Sequence, residues 1–296
     1  MRPHAFALSA LLLAAGGAAS AQQAVLLRLG GTIGQPVHSR TVTATYMRGG
    51  PFEAMGADTS VPTMRLVIYV TQTLDSVRDD TLSFAAVVDS SHAESPAMPQ
   101  LSTMMESAMA AAPKRSTVRM DSRGRILAVA LAGAGDAGAA AGLSLGGPGS
   151  GVGFNGTGYT LPEQPVRVGD TWSATTNITG LPAGATANGS LAYRLERIEP
   201  VGGAGTAVIS MSGTTTMVYA GTQAVMPMTS ILRFDIAAGR VTAMATSMAY
   251  VTSSPMGDLT GRVELTQAEA GDSAPPLPPL PAAAPLARPA APPGSR

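Results

Sequence analysis

The chain alternates apolar and polar positions in runs that stop at turns and start again. Arg65–Leu74 reads Arg-Leu-Val-Ile-Tyr-Val-Thr-Gln-Thr-Leu, breaks over Asp75–Asp80 and resumes in Thr81–Val88. Ser116–Asp121 does the same, meeting a turn at Gly124 and resuming at Arg125 and Ile126. Alternation with a turn in its middle predicts β-hairpins.

The same phrases recur downstream. Ser116–Ile126 carries Arg119, Asp121, Gly124 and Arg125; Ser230–Val241 answers with Arg233, Asp235, Gly239 and Arg240. Arg65–Val88 is echoed by Leu191–Ile198 and Thr206–Met211 across a glycine turn, and Thr41–Tyr46 by Thr171–Thr176. Elements that recur in one order predict a duplicated β-module. The expected fold is mainly β: two duplicated antiparallel curved sheets, half-barrel-like, each with an apolar face to cover, that pack together or join into one continuous half-barrel, with a closed barrel or two separate lobes as alternatives.

One stretch has the helical period instead. Leu101, Met104, Met105, Ala108, Met109 and Ala112 follow the i, i+3, i+4, i+7 spacing. Pro99 suits a helix start and Pro113 stops it, so a single amphipathic helix is expected over 99–112, on the concave side. Its Leu/Met stripe reads either as core packing or as a lid over an apolar groove, since methionine adapts to irregular space.

The ends differ in kind. Arg2 and His4 precede an apolar run, Ala5–Ala15, and Ala19-Ser20-Ala21 is a small-x-small site. This predicts a signal peptide over 1–21, cleaved between Ala21 and Gln22. The run is shorter than the ~20 apolar residues of a spanning helix, so no transmembrane segment is expected in the mature chain. The expected location is periplasmic or secreted, in a bacterium, and soluble. The chain has no cysteine, which excludes disulfides, thiol catalysis and a lipidated N-terminal Cys. The expected organisation is a first β repeat over 22–131, a Gly-rich linker over 132–160, a second repeat over 161–270 and a Pro-rich disordered tail over 271–296. Proline density there favours solvated polyproline II, either as a spacer or as a ligand for an envelope protein.

Charge narrows the partners. There are 19 basic and 19 acidic residues, and a neutral balance gives no pull towards nucleic acid. Two enzyme motifs fall in the linker. Gly142-Leu-Ser-Leu-Gly146 fits a nucleophile elbow, but His4, His38 and His92 all lie upstream, where that arrangement needs a later histidine. Gly151-Val-Gly-Phe-Asn-Gly156 fits G-x-G-x-x-G without a βαβ context. His38 and His92 have no metal-ligand spacing. No catalytic residue, metal or cofactor is expected. Arg119/Asp121 and Arg233/Asp235 share a strand parity and read as cross-strand ion pairs.

Trp172, the one tryptophan, follows a Gly169-Asp170 turn and reads as a core plug or a binding wall. Leu161–Trp172 carries Pro-x-x-Pro-Val-x-Val-Gly-Asp-x-Trp. This resembles the signature of a bacterial exported-protein family of unknown function. The resemblance implies an envelope location and a β-rich fold, and it implies no activity. The missing lipobox cysteine departs from the lipidated members.

With 16 methionines and 4% aromatic residues, the interior is soft and suits varied apolar ligands. The expected function is an exported, non-catalytic envelope protein that binds a lipid or acyl chain between sheet and helix. Leu101, Met104, Met105, Met109 and Trp172 are the expected contacts. The alternative is a structural or protein-interaction module of the envelope with no small-molecule ligand.

Overall fold

The computed structural model describes residues 24–49, 60–111, 114–132, 159–178, 186–200, 205–219, 222–254 and 257–270, with isolated positions 52, 56, 58, 277 and 280. The expected signal peptide and its Ala21/Gln22 site, almost all of the linker and most of the tail lie outside these residues. Of the tail, Leu277 and Leu280 are described, and both are half-buried.

The first half forms β1 (Pro36–Arg48), β2 (Met64–Arg78), β3 (Thr81–Glu94), β4 (Arg115–Asp121) and β5 (Ile126–Leu131). The second forms β6 (Thr171–Ile178), β7 (Thr186–Glu199), β8 (Thr206–Tyr219), β9 (Thr222–Asp235) and β10 (Arg240–Ser254), and β11 is Gly257–Glu269. Each segment expected as a strand is one. The strands make one sheet, in the order β5-β4-β3-β2-β1-β11-β10-β9-β8-β7-β6. Two antiparallel meanders, β1–β5 and β6–β10, therefore join in one continuous open sheet, one of the arrangements that the repeats left open. The reason is β11, which pairs with β1 on one side and β10 on the other. It leaves neither meander a free edge at the join.

Hydrogen bonds show how strongly this sheet curls. The Leu29 amide donates to the Ser122 carbonyl in the β4–β5 turn, at 2.7 Å. The Gly30 amide donates to the Gly239 carbonyl in the β9–β10 turn, at 2.9 Å. Consecutive residues, ~3.8 Å apart, thus reach turns whose strands β4 and β9 lie six places apart in the sheet. A flat sheet would separate those strands by about 29 Å, at ~4.8 Å per step. The sheet is bent into a trough that is not closed into a barrel.

One face lines the trough. Leu66, Ile68 and Val70 of β2, Leu191, Tyr193 and Leu195 of β7, and Leu232 and Phe234 of β9 are all buried in one cluster. Period-two alternation sends their neighbours outward.

A short 3₁₀ turn (Pro99–Leu101) leads into helix α1 (Ser102–Ala111). β4 pairs only with Thr81–Val87 of β3, and the helix packs against β3. His92 and Glu106 meet at 3.2 Å, and the Ser102 hydroxyl accepts from the Ser95 amide. The helix therefore lies along the half of β3 that has lost its strand partner, where an open edge needs cover. Among the described residues no helix is long and apolar enough to cross a membrane.

The echoed aspartates are turn caps, not members of ion pairs with the arginines two residues before them. Asp121 Oδ1 accepts from the Arg123 and Arg125 amides, and Asp235 Oδ1 accepts from the Ala238 amide. Short carboxylates commonly bond the backbone two or three residues on, which fixes a turn. Arg119 is exposed, and Arg233 is buried and meets Glu199 Oε2 at 3.2 Å.

Candidate functional site

Strands alternate in direction, so the two ends of the trough carry different parts of the chain. One end holds the start of β1 and the β2–β3, β4–β5, β7–β8 and β9–β10 turns. The other holds α1 between β3 and β4. Two irregular segments cross the first end. The first is 24–35, ahead of β1. The second is 159–170, ahead of β6.

These segments roof the trough with their own side chains. Leu27 is 0% exposed and Leu161 1%; Leu29, Tyr159 and Val166 are buried beside them. The segments are tied to each other by reciprocal hydrogen bonds between Val25 and Val166, at 2.8 and 2.9 Å. Arg28 donates to the Pro162 and Glu163 carbonyls, and Arg123 Nε donates to the Leu161 carbonyl. Such backbone partners satisfy carbonyls that no sheet ladder serves.

Trp172 belongs to this lacing. Its ring stacks on Tyr193, with centroids 5.4 Å apart and planes 4° from parallel. Its Nε1 donates to the Thr160 carbonyl at 2.7 Å, and the Thr160 amide donates to the Tyr193 hydroxyl at 3.0 Å. Burial pushes the Tyr193 phenol up to about 12, against the smaller opposing pull of its Thr160 bond. Burial also raises the Tyr159 phenol well above its ordinary value.

Under the roof is a cavity of about 70 Å³. Leu74, Phe84 and Met120 give it apolar walls, while Gln35, Gln72 and Gln267 give it polar ones. Leu29–Thr32 and Tyr159 close it from the roof side. Arg240 also lines it and is held by Glu269 in a two-point pair, with Nη2–Oε1 2.9 Å and Nε–Oε2 3.2 Å.

The trough floor beside this hollow has an unusual chemistry. β1 turns Ser39, Thr41, Thr43 and Thr45 into the core, all buried. Among the described residues, the Ser39, Thr41 and Thr43 hydroxyls and Gln267 Oε1 find no hydrogen-bond partner. Thr41 and Gln267 are direct neighbours across β1 and β11. On β9, Thr229 Oγ1 is likewise without a partner among the described residues, while buried Ser230 of β9 and Thr246 of β10 bond each other at 2.9 Å.

The expected contact residues are not gathered at the hollow. Met105 and Met109 are buried in the core, Leu101 is half-buried, and Met104 is 63% exposed. All four sit at the far end, on the helix or its leading turn. Trp172 is at the hollow's end but packs behind Thr160. None of the five lines the cavity. Gln72, Gln267 and the roof were not anticipated. The available signal was the stretch Val25–Leu29, apolar except for Arg28, beside Gly30 and Gly31, a sequence with no strand alternation and no helical period.

Among the described residues no group of three or more His, Asp or Glu is placed to hold a metal ion. His38 Nδ1 bonds Thr71 at 2.8 Å, and His92 meets Glu106 on the outside. No protein-family model matches this chain, and no curated protein matches it.

Proposed function

We propose that this protein is an exported, non-catalytic module of the bacterial envelope whose trough holds an apolar chain, such as that of a lipid. One observation carries the reading. The inner face of an open sheet is covered by irregular segments of the same chain, with Leu27, Leu29 and Leu161 as pegs. Apolar pegs on tethers of a few hydrogen bonds are exchangeable for an acyl chain, because hydrophobic burial is non-directional. The signal-like N-terminus and the resemblance around Leu161–Trp172 support export.

On this reading the ligand lies away from the helix. Met105 and Met109 fill their side of the trough. The hollow is about 70 Å³, roughly half of the ~150 Å³ cavity that takes benzene. A chain enters only by displacing the roof.

That tight filling also favours the second reading, a structural or interaction module with no ligand. Purification of the mature chain from the periplasm, with mass spectrometry of its organic extract, separates the two. Stoichiometric lipid supports the carrier. A clean extract, with no change in Trp172 fluorescence or melting temperature on adding fatty acid or phospholipid, leaves the structural module.

A further inference from the structure

Four buried polar atoms without partners sit together on one patch of β1 and β11. Leaving such an atom unpaired costs about 1–3 kcal/mol each, and native proteins have few. Ser230 of β9 and Thr246 of β10 show that the chain can pair buried hydroxyls, although Thr229 Oγ1 on β9 has no partner among the described residues either. Valine would fit Thr41 or Thr43 with the same branched shape and no unpaired oxygen. The patch is therefore a stability cost, and one of its members, Gln267, stands at the wall of the cavity.

The cavity's chemistry selects what would remove that cost. Gln267 is 8% exposed, lines the hollow, and its Oε1 lacks a donor. The group that satisfies it must carry an O–H or N–H. A carboxylate carries neither. Nor does the hollow offer an anion free positive charge, because Arg240 is already engaged by Glu269 at two points. An unpaired ion in such a site is heavily penalised. Size sets a limit: a hollow of about 70 Å³ is roughly half of one that takes six-atom benzene, so a polyol head of similar atom count also enters only as the roof moves aside.

We infer that the hollow is a head-group site for an uncharged, hydroxyl-bearing amphiphile. Its head donates to Gln267 Oε1, and its chain takes the place of the Leu27 and Leu161 pegs. This rests on the carrier reading above and adds to it the class of ligand.

The test uses the mature full-length protein with two probes of equal chain length, 1-palmitoylglycerol and palmitate, at pH 8. Binding is followed by native mass spectrometry and Trp172 fluorescence. The glycerol ester should bind at least about tenfold tighter, the value of one satisfied buried acceptor. In Gln267→Leu the two probes should bind alike. Thr41→Val, which keeps the side-chain shape at a position off the cavity lining, should raise the melting temperature and leave the preference unchanged. Equal binding of both probes to the unmodified protein, or a preference that survives in Gln267→Leu of normal melting behaviour, overturns the head-group site and leaves the carrier standing. Binding of neither probe sinks the carrier and the head-group site together.

Discussion

Gly124 and Gly239 hold the same place in two hairpins, and each is pressed against a segment that roofs the trough. A Cβ on Gly124 would stand 2.8 Å from the Tyr159 carbonyl oxygen; one on Gly239 would stand 2.8 Å from the Gly30 amide nitrogen. Both have positive φ, +89° and +64°. The two glycines thus serve a turn and a crossing at once, and the roof is built onto the echoed turns.

Alanine at either site should cost more than the backbone strain alone. A left-handed non-glycine residue costs roughly 1–2 kcal/mol, and here the contact is with backbone that cannot rotate aside. Gly239→Ala and Gly124→Ala are expected to lose about 2–4 kcal/mol in urea unfolding. Gly34→Ala, also at positive φ but with nothing within 4 Å of the added carbon, should lose about 1 kcal/mol. Equal losses at all three would show that the crossings carry no strain.

Arg233 gives a second contrast. Its side chain is 4% exposed and faces Glu199, which is 21% exposed and also meets Arg197. Glu199→Ala strips the carboxylate from a buried cation, a change that typically costs about 3–5 kcal/mol; partial solvent access at Glu199 brings the expectation to about 2–3 kcal/mol. Glu94→Ala breaks the Arg65–Glu94 pair, whose side chains are 47% and 37% exposed, and should cost under about 1 kcal/mol. Denaturant midpoints of the two variants decide it.

The strands were legible because hairpin alternation is a local signal. Asp121–Gly124 and Asp235–Gly239 announce their turns in the residues themselves. Whether the two repeats join in one sheet stayed open in the sequence, because the join depends on β11 meeting β1 from the other end of the chain. The floor of the trough was misleading. In Thr41-Val-Thr-Ala-Thr-Tyr46 the alternation favours Val42, Ala44 and Tyr46 for the core. The register sets Thr41 opposite Ile68 and Gln267, and Thr43 opposite Leu66 and Leu265. It turns the threonines inward. Local pattern loses there to pairing on both sides, since a one-residue slip would reverse every neighbour. The roof carries no period at all, so its role emerges only from the turns it bonds.

Trp172 should report the seating of the roof. Its indole N–H is held by Thr160 and its ring by Tyr193, so emission should be blue-shifted and partly quenched in the folded protein. Thr160 is tied through its backbone, so side-chain replacement leaves the bond intact. Arg28→Ala removes the clamp on Pro162 and Glu163 instead. Arg28→Ala should red-shift Trp172 and raise its acrylamide quenching while far-ultraviolet circular dichroism of the strands is kept. Unchanged emission would mean that the Val25–Val166 bonds seat the 159–170 segment without the Arg28 clamp.

Alkaline pH should loosen the same end of the trough. An ordinary phenol ionises near 10, and Tyr193 in the folded protein does so at about 12. Tyr159 is shifted the same way by burial. Between those values the unfolded chain releases protons that the folded chain keeps, so stability falls as pH rises. The contribution is fully present below pH 10 and is lost progressively up to about pH 12. Phenolate absorbance should therefore rise for these two residues together with unfolding, and Tyr193→Phe should narrow the pH-dependent loss. Its cost at neutral pH is modest, about 1 kcal/mol for the missing bond from the Thr160 amide. Reversible ionisation of Tyr159 and Tyr193 with the strand signal intact would show that the roof opens without the sheet, which is the motion that ligand entry requires.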